Sequence, residues 1–190
     1  MIKKEIKTGI RVFIAMTVLT GIVYPAAVTV LAQLIFPRQA DGSIVSGPAG
    51  IPIGSKLIGQ PFTGQGYFWS RPSATSGFPY NPMASGGSNL GPTNQKLLDR
   101  VRARVRALAA TGITAPVPSD LVEGSGSGLD PDISLSGALV QVPRIAQARH
   151  IPEAKVYGLV KQYTEGETYI PLTVPMVNVL KLNLALDKLK

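Results

Sequence analysis

Cysteine is absent from the 190 residues, and histidine occurs once, as His150. Disulfides, thiolate metal centres and cysteine nucleophiles are therefore excluded, and no pair of histidines can share a metal or a proton-transfer task. Charge is scarce. Asp, Glu, Lys and Arg make up 16% of the chain, against about 25% in an ordinary soluble domain. Catalytic motifs are missing too. There is no G-x-S-x-G elbow, and no S-x-x-K pair of a serine hydrolase. The run Gly124-Ser125-Gly126-Ser127-Gly128 is followed by Leu129-Asp130, where a phosphate loop needs a lysine and then Ser or Thr. Asp130, Asp132 and Ser134 stand at the first three ligand positions of a calcium loop, but Leu135 takes the place of its glycine and Gln141 that of its final glutamate. The residues thus offer no catalytic group and no metal ligand set.

What the chain does have is a long uncharged run. Residues 12–37 carry no charged side chain. That is longer than the ~20 residues needed to cross a bilayer, and about twice the length of a secretory signal core. Lys3, Lys4, Lys7 and Arg11 precede the run and only Arg38 follows it. The positive-inside rule then makes residues 1–11 a cytoplasmic N-terminus, 12–37 a transmembrane helix, and 38–190 an extracytoplasmic (periplasmic) domain. The expected place is the cytoplasmic (inner) membrane, crossed once with the N-terminus inside. Half of the net charge of +8 lies in the first 38 residues, so the basic balance does not describe a nucleic-acid-binding domain. Pro25 predicts a kink beside Tyr24. Gly21, Ala26 and Ala27 are small enough for close helix approach, so Gly21, Tyr24, Pro25, Ala26 and Ala27 are the candidate packing face for a partner helix.

The outer part reads as one small α+β domain, helix-rich in its C-terminal half. Residues 39–92 suit short strands and irregular loops pinned by aromatics: Phe62, Tyr67, Phe68, Trp69, Phe78 and Tyr80 all fall there. Thr93–Ala110 predicts an amphipathic helix capped by Thr93, with Leu97, Leu98, Val101, Val105 and Leu108 on one face. Arg100, Arg102, Arg104 and Arg106 flank that face as an anion clamp or a solvated rim. Their alternation splits them to opposite edges and favours the rim. A turn capped by Ser119 is expected at Pro118–Glu123. A helix capped by Asp130, with Pro131 in its first turn, should run to Arg149, kinked or split at Pro143. Further helices are expected at Pro152–Tyr163 and Val174–Leu189. His150 falls at a helix end, where it favours the dipole.

Longer strings carry a resemblance. They include Tyr24-Pro25 in the span, Gly54-Ser55-Lys56-Leu57-Ile58-Gly59-Gln60, and Tyr67-Phe68-Trp69-Ser70-Arg71-Pro72-Ser73-Ala74. Tyr80-Asn81-Pro82, Ser85-Gly86-Gly87-Ser88-Asn89-Leu90-Gly91, Pro118-Ser119-Asp120-Leu121-Val122 and Ser125-Gly126-Ser127-Gly128-Leu129-Asp130-Pro131 continue it. Gln141-Val142-Pro143-Arg144-Ile145-Ala146-Gln147-Ala148-Arg149 and Val177-Asn178-Val179-Leu180-Lys181-Leu182-Asn183-Leu184-Ala185-Leu186-Asp187 complete it. In this order the chain resembles the C subunit of the bacterial Kdp potassium-transporting ATPase.

The resemblance implies an accessory subunit, not an enzyme on its own. Its implied partners are a channel-like potassium-binding subunit, a P-type ATPase subunit and a very small single-helix subunit, with membrane lipid around the span and no nucleic acid. It implies a role in assembly and stability, and a catalytic-chaperone role that raises the ATP affinity of the ATPase subunit. The alternative is a periplasmic gate or cap over the potassium entrance. ATP is the one cofactor implied. Leu135-Ser136-Gly137-Ala138-Leu139-Val140-Gln141 resembles a transporter signature loop, which makes Gln141 the nucleotide candidate. The charge flank puts Gln141 outside, however, whereas nucleotide is cytoplasmic, and the residues favour a capping or i,i+4 role. Acids that could guide potassium are Asp130, Asp132, Glu165 and Glu167. Two other classes stay open: a membrane-anchored anion-binding module using the arginine helix, and a periplasmic Ser/Lys hydrolase.

Overall fold

The computed structural model describes residues 2–47, 50–113, 116–166 and 174–189. The chain divides into two compact units, Met1–Ile44 and Val45–Lys190. The first is dominated by one helical rod, Ile2–Ile35. It comprises α1 (Ile2–Val18), a π-helical turn at Leu19–Val23 and α2 (Tyr24–Ile35). None of its residues is buried. Pro25 explains the π turn: it donates no N–H, and its ring crowds the carbonyl four residues back. The helix widens just before it, so the N–H of Tyr24 reaches the Leu19 carbonyl. The sequence expected a kink at this place, and the backbone adjustment found there is an inserted turn. Thr20 and Thr29 return their hydroxyls to the carbonyls of Met16 and Pro25 at 2.7 and 2.8 Å, which hides two polar groups from an apolar surrounding. A single turn, α3 (Pro37–Ala40), follows. The Gln33 amide donates to Asp41 at 3.0 Å.

The second unit is α+β, as expected. Strands β1 (Ile44–Ser46) and β2 (Pro52–Ser55) form a two-stranded sheet. A long loop segment then runs to α4 (Gln95–Ala109). The C-terminal half holds β3 (Asp132–Ser134), α5 (Leu135–Leu139), α6 (Val142–Arg149), α7 (Glu153–Gln162), β4 (Thr164–Glu165), β5 (Met176–Asn178) and α8 (Val179–Leu186). The three-stranded antiparallel sheet has the order β3-β5-β4, with Ile133 opposite Val177. Both side chains are fully buried. Around them pack Phe68, Ile145, Val156, Val160, Leu182 and Leu186. Each large side chain removed from water is worth about 1.5–3 kcal/mol.

Four local expectations are corrected. The helix expected to start at Asp130 begins at Leu135, capped by Ser134, whose hydroxyl accepts from Gly137 N–H at 2.9 Å. Asp130 instead turns the chain by accepting from Asp132 N–H at 3.1 Å, and Asp132–Ser134 pairs with β5. The break at Pro143 is found, with α6 opening at Val142 and that proline in its first turn. In the tail, a strand precedes the helix, because Asn178 caps α8 by accepting from Lys181 N–H at 3.1 Å. Helix α4 is capped by Asn94 and not Thr93. At Ser119–Leu121 a 3-10 turn forms as expected, but no side chain caps it.

Candidate functional site

The side chains that sequence reading singled out fall in two places. Gly21, Tyr24, Pro25, Ala26 and Ala27 lie at and just after the π turn, all exposed. A Cβ placed on Gly21 meets nothing within 4 Å. Tyr24 to Ala27 run round the helix, and with Gly21 they put small side chains and one aromatic ring on its exposed surface.

Gln141 lies in the second unit, at the junction of α5 and α6, and is fully buried. Its Oε1 accepts from Trp69 N–H at 2.7 Å and from the Arg144 guanidinium at 2.8 Å. Its Nε2 donates to the carbonyls of Gly137 at 2.9 Å and Trp69 at 3.2 Å. An amide offers two donors and two acceptor sites, and all four are taken. As folded here, Gln141 has nothing left to offer a nucleotide, and the residues around it do not fit one. Among the described residues, hollows of about 750, 450 and 290 Å3 open on this unit. Gln141 lines none of them.

What Gln141 does is hold a loop. Asn183 on α8 does the same one residue earlier, accepting from Phe68 N–H at 2.8 Å and donating to the Phe68 carbonyl at 2.9 Å. Two arginines of α6 complete the hold. Arg144, only 7% exposed, donates to the carbonyls of Gln65 and Tyr67 and lies 4.2 Å from the centre of the Trp69 ring. Burial holds its pKa down to about 10, so it remains charged at neutral pH. Arg149 donates to the Gly66 carbonyl at 2.6 Å, pairs with Asp187 at 2.6 Å and stacks on Tyr67 at 4.7 Å. Buried backbone groups are costly when unpaired. In this loop side chains from α6 and α8 supply the partners that a strand would otherwise supply.

A second knot lies near Arg71. Its guanidinium pairs with Asp130 at 2.8 Å, and its carbonyl accepts from the Tyr80 hydroxyl. Tyr80 has a left-handed backbone, φ 58°. Its N–H donates to Ser73 Oγ at 2.9 Å, which itself donates to the Gly128 carbonyl at 2.8 Å. Burial pushes the Tyr80 phenol up. Gly128 is required here: φ is +67°, and a Cβ would lie 2.7 Å from the Gly86 carbonyl oxygen. The serine-rich strings are thus spent on tying loops together. Among the described residues no serine is hydrogen-bonded to a lysine side chain.

The acids proposed for potassium have other partners. Asp130 pairs with Arg71, and Glu165 with Lys181 at 2.7 Å. Asp132 accepts from the Asn178 amide at 2.8 Å. Glu167 lies outside the described residues. Among those described, no group of three His, Asp or Glu side chains is placed to hold a metal. Of the four arginines on α4, Arg104 turns inward and donates to the Val122 carbonyl at 2.7 Å. Arg100, Arg102 and Arg106 are exposed, so the four do not converge on an anion.

Sequence reading missed Asn183, Arg144 and Arg149. Asn183 left one signal, a lone amide inside the apolar run Leu182–Leu186. The two arginines left none, since nothing in a sequence says which arginine will lie over Trp69.

The comparisons agree on one family. The family model described as K+-transporting ATPase, c chain, matches residues 6–188. The chain is 52% identical over 185 residues to a Geobacter metallireducens protein named potassium-transporting ATPase KdpC subunit, covering 97% of this chain and 98% of that one. A protein of the same name from Geotalea uraniireducens is 54% identical over 186 residues, with 98% of each covered. Another from Methylibium petroleiphilum is 51% identical over 187 residues, with 97% of each covered. The match spans both the exposed rod and the second unit with its strapped loop, and the chain belongs to the KdpC family, the c chain of potassium-transporting ATPases.

Proposed function

We propose that this chain is the single-pass, non-catalytic member of a potassium-pumping ATPase complex, holding that complex together from the membrane and from the outer side. The observation that carries the reading is the rod Ile2–Ile35. It is long and apolar enough to span a bilayer, and none of its residues is buried. Such a surface is stable only against lipid or other helices. The lysines at its start put the N-terminus in the cytoplasm and residues 38–190 outside. The face around Gly21, Tyr24, Pro25, Ala26 and Ala27 packs on the channel-like subunit. The outer unit sits over the ion entrance as a cap. It is held rigid by its own hydrogen bonds, and its acids are mostly committed to internal partners. The remaining partners are the P-type ATPase subunit and the very small single-helix subunit. Any rise in the ATP affinity of the ATPase subunit is passed on through contacts between subunits, not through a bond from Gln141 to nucleotide.

Extraction of the membrane in mild detergent tests this. Affinity purification of this chain should recover the other pump subunits, and a reporter fused after Lys190 should read out as extracytoplasmic. Recovery of this chain alone, or a cytoplasmic reporter, would defeat the proposal.

A further inference from the structure

Around the π turn the Thr20 carbonyl is left without a backbone donor. Inside Leu19–Val23 the N–H of Tyr24 goes to the Leu19 carbonyl. In that register the next N–H, due to the Thr20 carbonyl, belongs to position 25, which is proline and has none. In the α register the Thr20 carbonyl takes the N–H of Tyr24, which is committed to Leu19. The side chains nearby do not repair this. The Thr20 hydroxyl donates to Met16 at 2.7 Å, and among the described residues no side chain donates to the Thr20 carbonyl.

Position matters here. Thr20 lies eight residues past Val12, or about 12 Å along the helix from the charged flank, which is inside the hydrocarbon of a bilayer about 30 Å thick. No water is at hand there, and an unpaired carbonyl is costly. Two further features mark the same stretch as one built for a neighbour. Gly21 follows directly, and its Cβ position is open, so another helix can come close. Thr17, one turn earlier, keeps its hydroxyl unspent. Thr8, Thr20 and Thr29 each return theirs to the carbonyl four residues back, whereas among the described residues Thr17 makes no such bond.

We infer that the Thr20 carbonyl is the acceptor of an interhelical hydrogen bond, donated by a Ser, Thr, Asn, Gln or Lys side chain of a transmembrane helix in a partner subunit that packs across Gly21. The π turn then serves as a socket: Pro25 empties a place in the hydrogen-bond ladder, and the partner fills it. This deepens the assembly reading above and rests on it, since a helix with only lipid around it has no such donor.

Infrared spectroscopy on the full chain, with a single 13C=18O label at the Thr20 carbonyl introduced by semisynthesis, tests it. The amide I band of that carbonyl should stand at the frequency of an unbonded group in the chain alone in detergent. It should move to lower frequency in the purified complex. Pro25→Ala restores an N–H and should give the low frequency in the chain alone, which calibrates the bonded position. A complex that forms with the band unmoved overturns the socket and leaves the assembly reading intact. A band already low in the unmutated chain alone overturns it as well. A chain that recovers no partner subunits overturns both.

Discussion

The side chain of Asn183 hydrogen-bonds both polar groups of the Phe68 backbone, N–H at 2.8 Å and carbonyl at 2.9 Å, across 115 residues of chain. Phe68 is itself fully buried. Replacing Asn183 by Ala strands a buried N–H and a buried carbonyl, which should cost about 2–4 kcal/mol. Urea unfolding of the full chain in mild detergent measures it, followed by the fluorescence of Trp69, the only tryptophan. A loss below half a unit of that scale would show that water replaces the amide freely.

Gln141→Ala should destabilise by a similar amount, about 2–4 kcal/mol, with no nucleotide present. The amide serves Trp69, Gly137 and Arg144 at once. If melting is unchanged without ATP and shifts only when ATP is added, Gln141 belongs to a ligand site and not to the loop.

Arg144→Lys keeps the charge and loses the fork. One ammonium cannot reach Gln65, Tyr67 and Gln141 together, nor lie flat over the Trp69 ring. The expected loss is about 1.5–3 kcal/mol, accompanied by a change in Trp69 emission. A lysine variant equal to the parent in both would reduce Arg144 to a surface charge.

Asp132 gives a pH prediction. Burial raises its carboxyl above the usual range, with Asp130 and Glu165 pushing the same way and Asn178 and Lys181 opposing. A carboxyl with a raised folded pKa holds its proton in the native state when the unfolded chain has lost it. Stability from this group therefore falls as pH rises through that window and stays lower at neutral pH. Asp132→Asn keeps the acceptor for Asn178 and removes the charge. It should be at least as stable as the parent at pH 7, with the difference shrinking as pH drops through the carboxylate range. Parallel stability–pH curves for the two chains would count against this.

In the rod, Gly21→Leu and Ala27→Leu together should cut recovery of partner subunits at least several-fold while the unit Val45–Lys190 melts as before. Large side chains there block close approach by another helix. An undiminished complex would place the partner elsewhere on the rod.

Much of this was legible beforehand, and the reasons differ by element. The apolar rod Ile2–Ile35 needed only the length of the uncharged run. Helix α4 needed only the spacing of Leu97, Val101, Val105 and Leu108. The family showed in long strings such as Tyr67-Phe68-Trp69-Ser70-Arg71. Asp130 misled because a capping residue and an Asx-turn residue look alike until the next three residues choose a partner, and Asp132–Ser134 chose β5. Asn178 misled in the same way, ending a strand and starting a helix in one step. Of the hold on residues 65–69 only the lone amide of Asn183 could be noticed, because the hold joins side chains to main chain far away in sequence, and main chain carries no sequence signature.

That same reach orders the birth of the molecule. Two fasteners of the stretch from Gln65 to Trp69 are made long after it: Asn183 lies 115 residues beyond Phe68 and Asp187 lies 120 residues beyond Tyr67. Phe68 must therefore wait, unsheltered, until position 183 has left the ribosome. A chain stopped short of that position will carry an intact apolar rod and a loop held only by Gln141, Arg144 and Arg149.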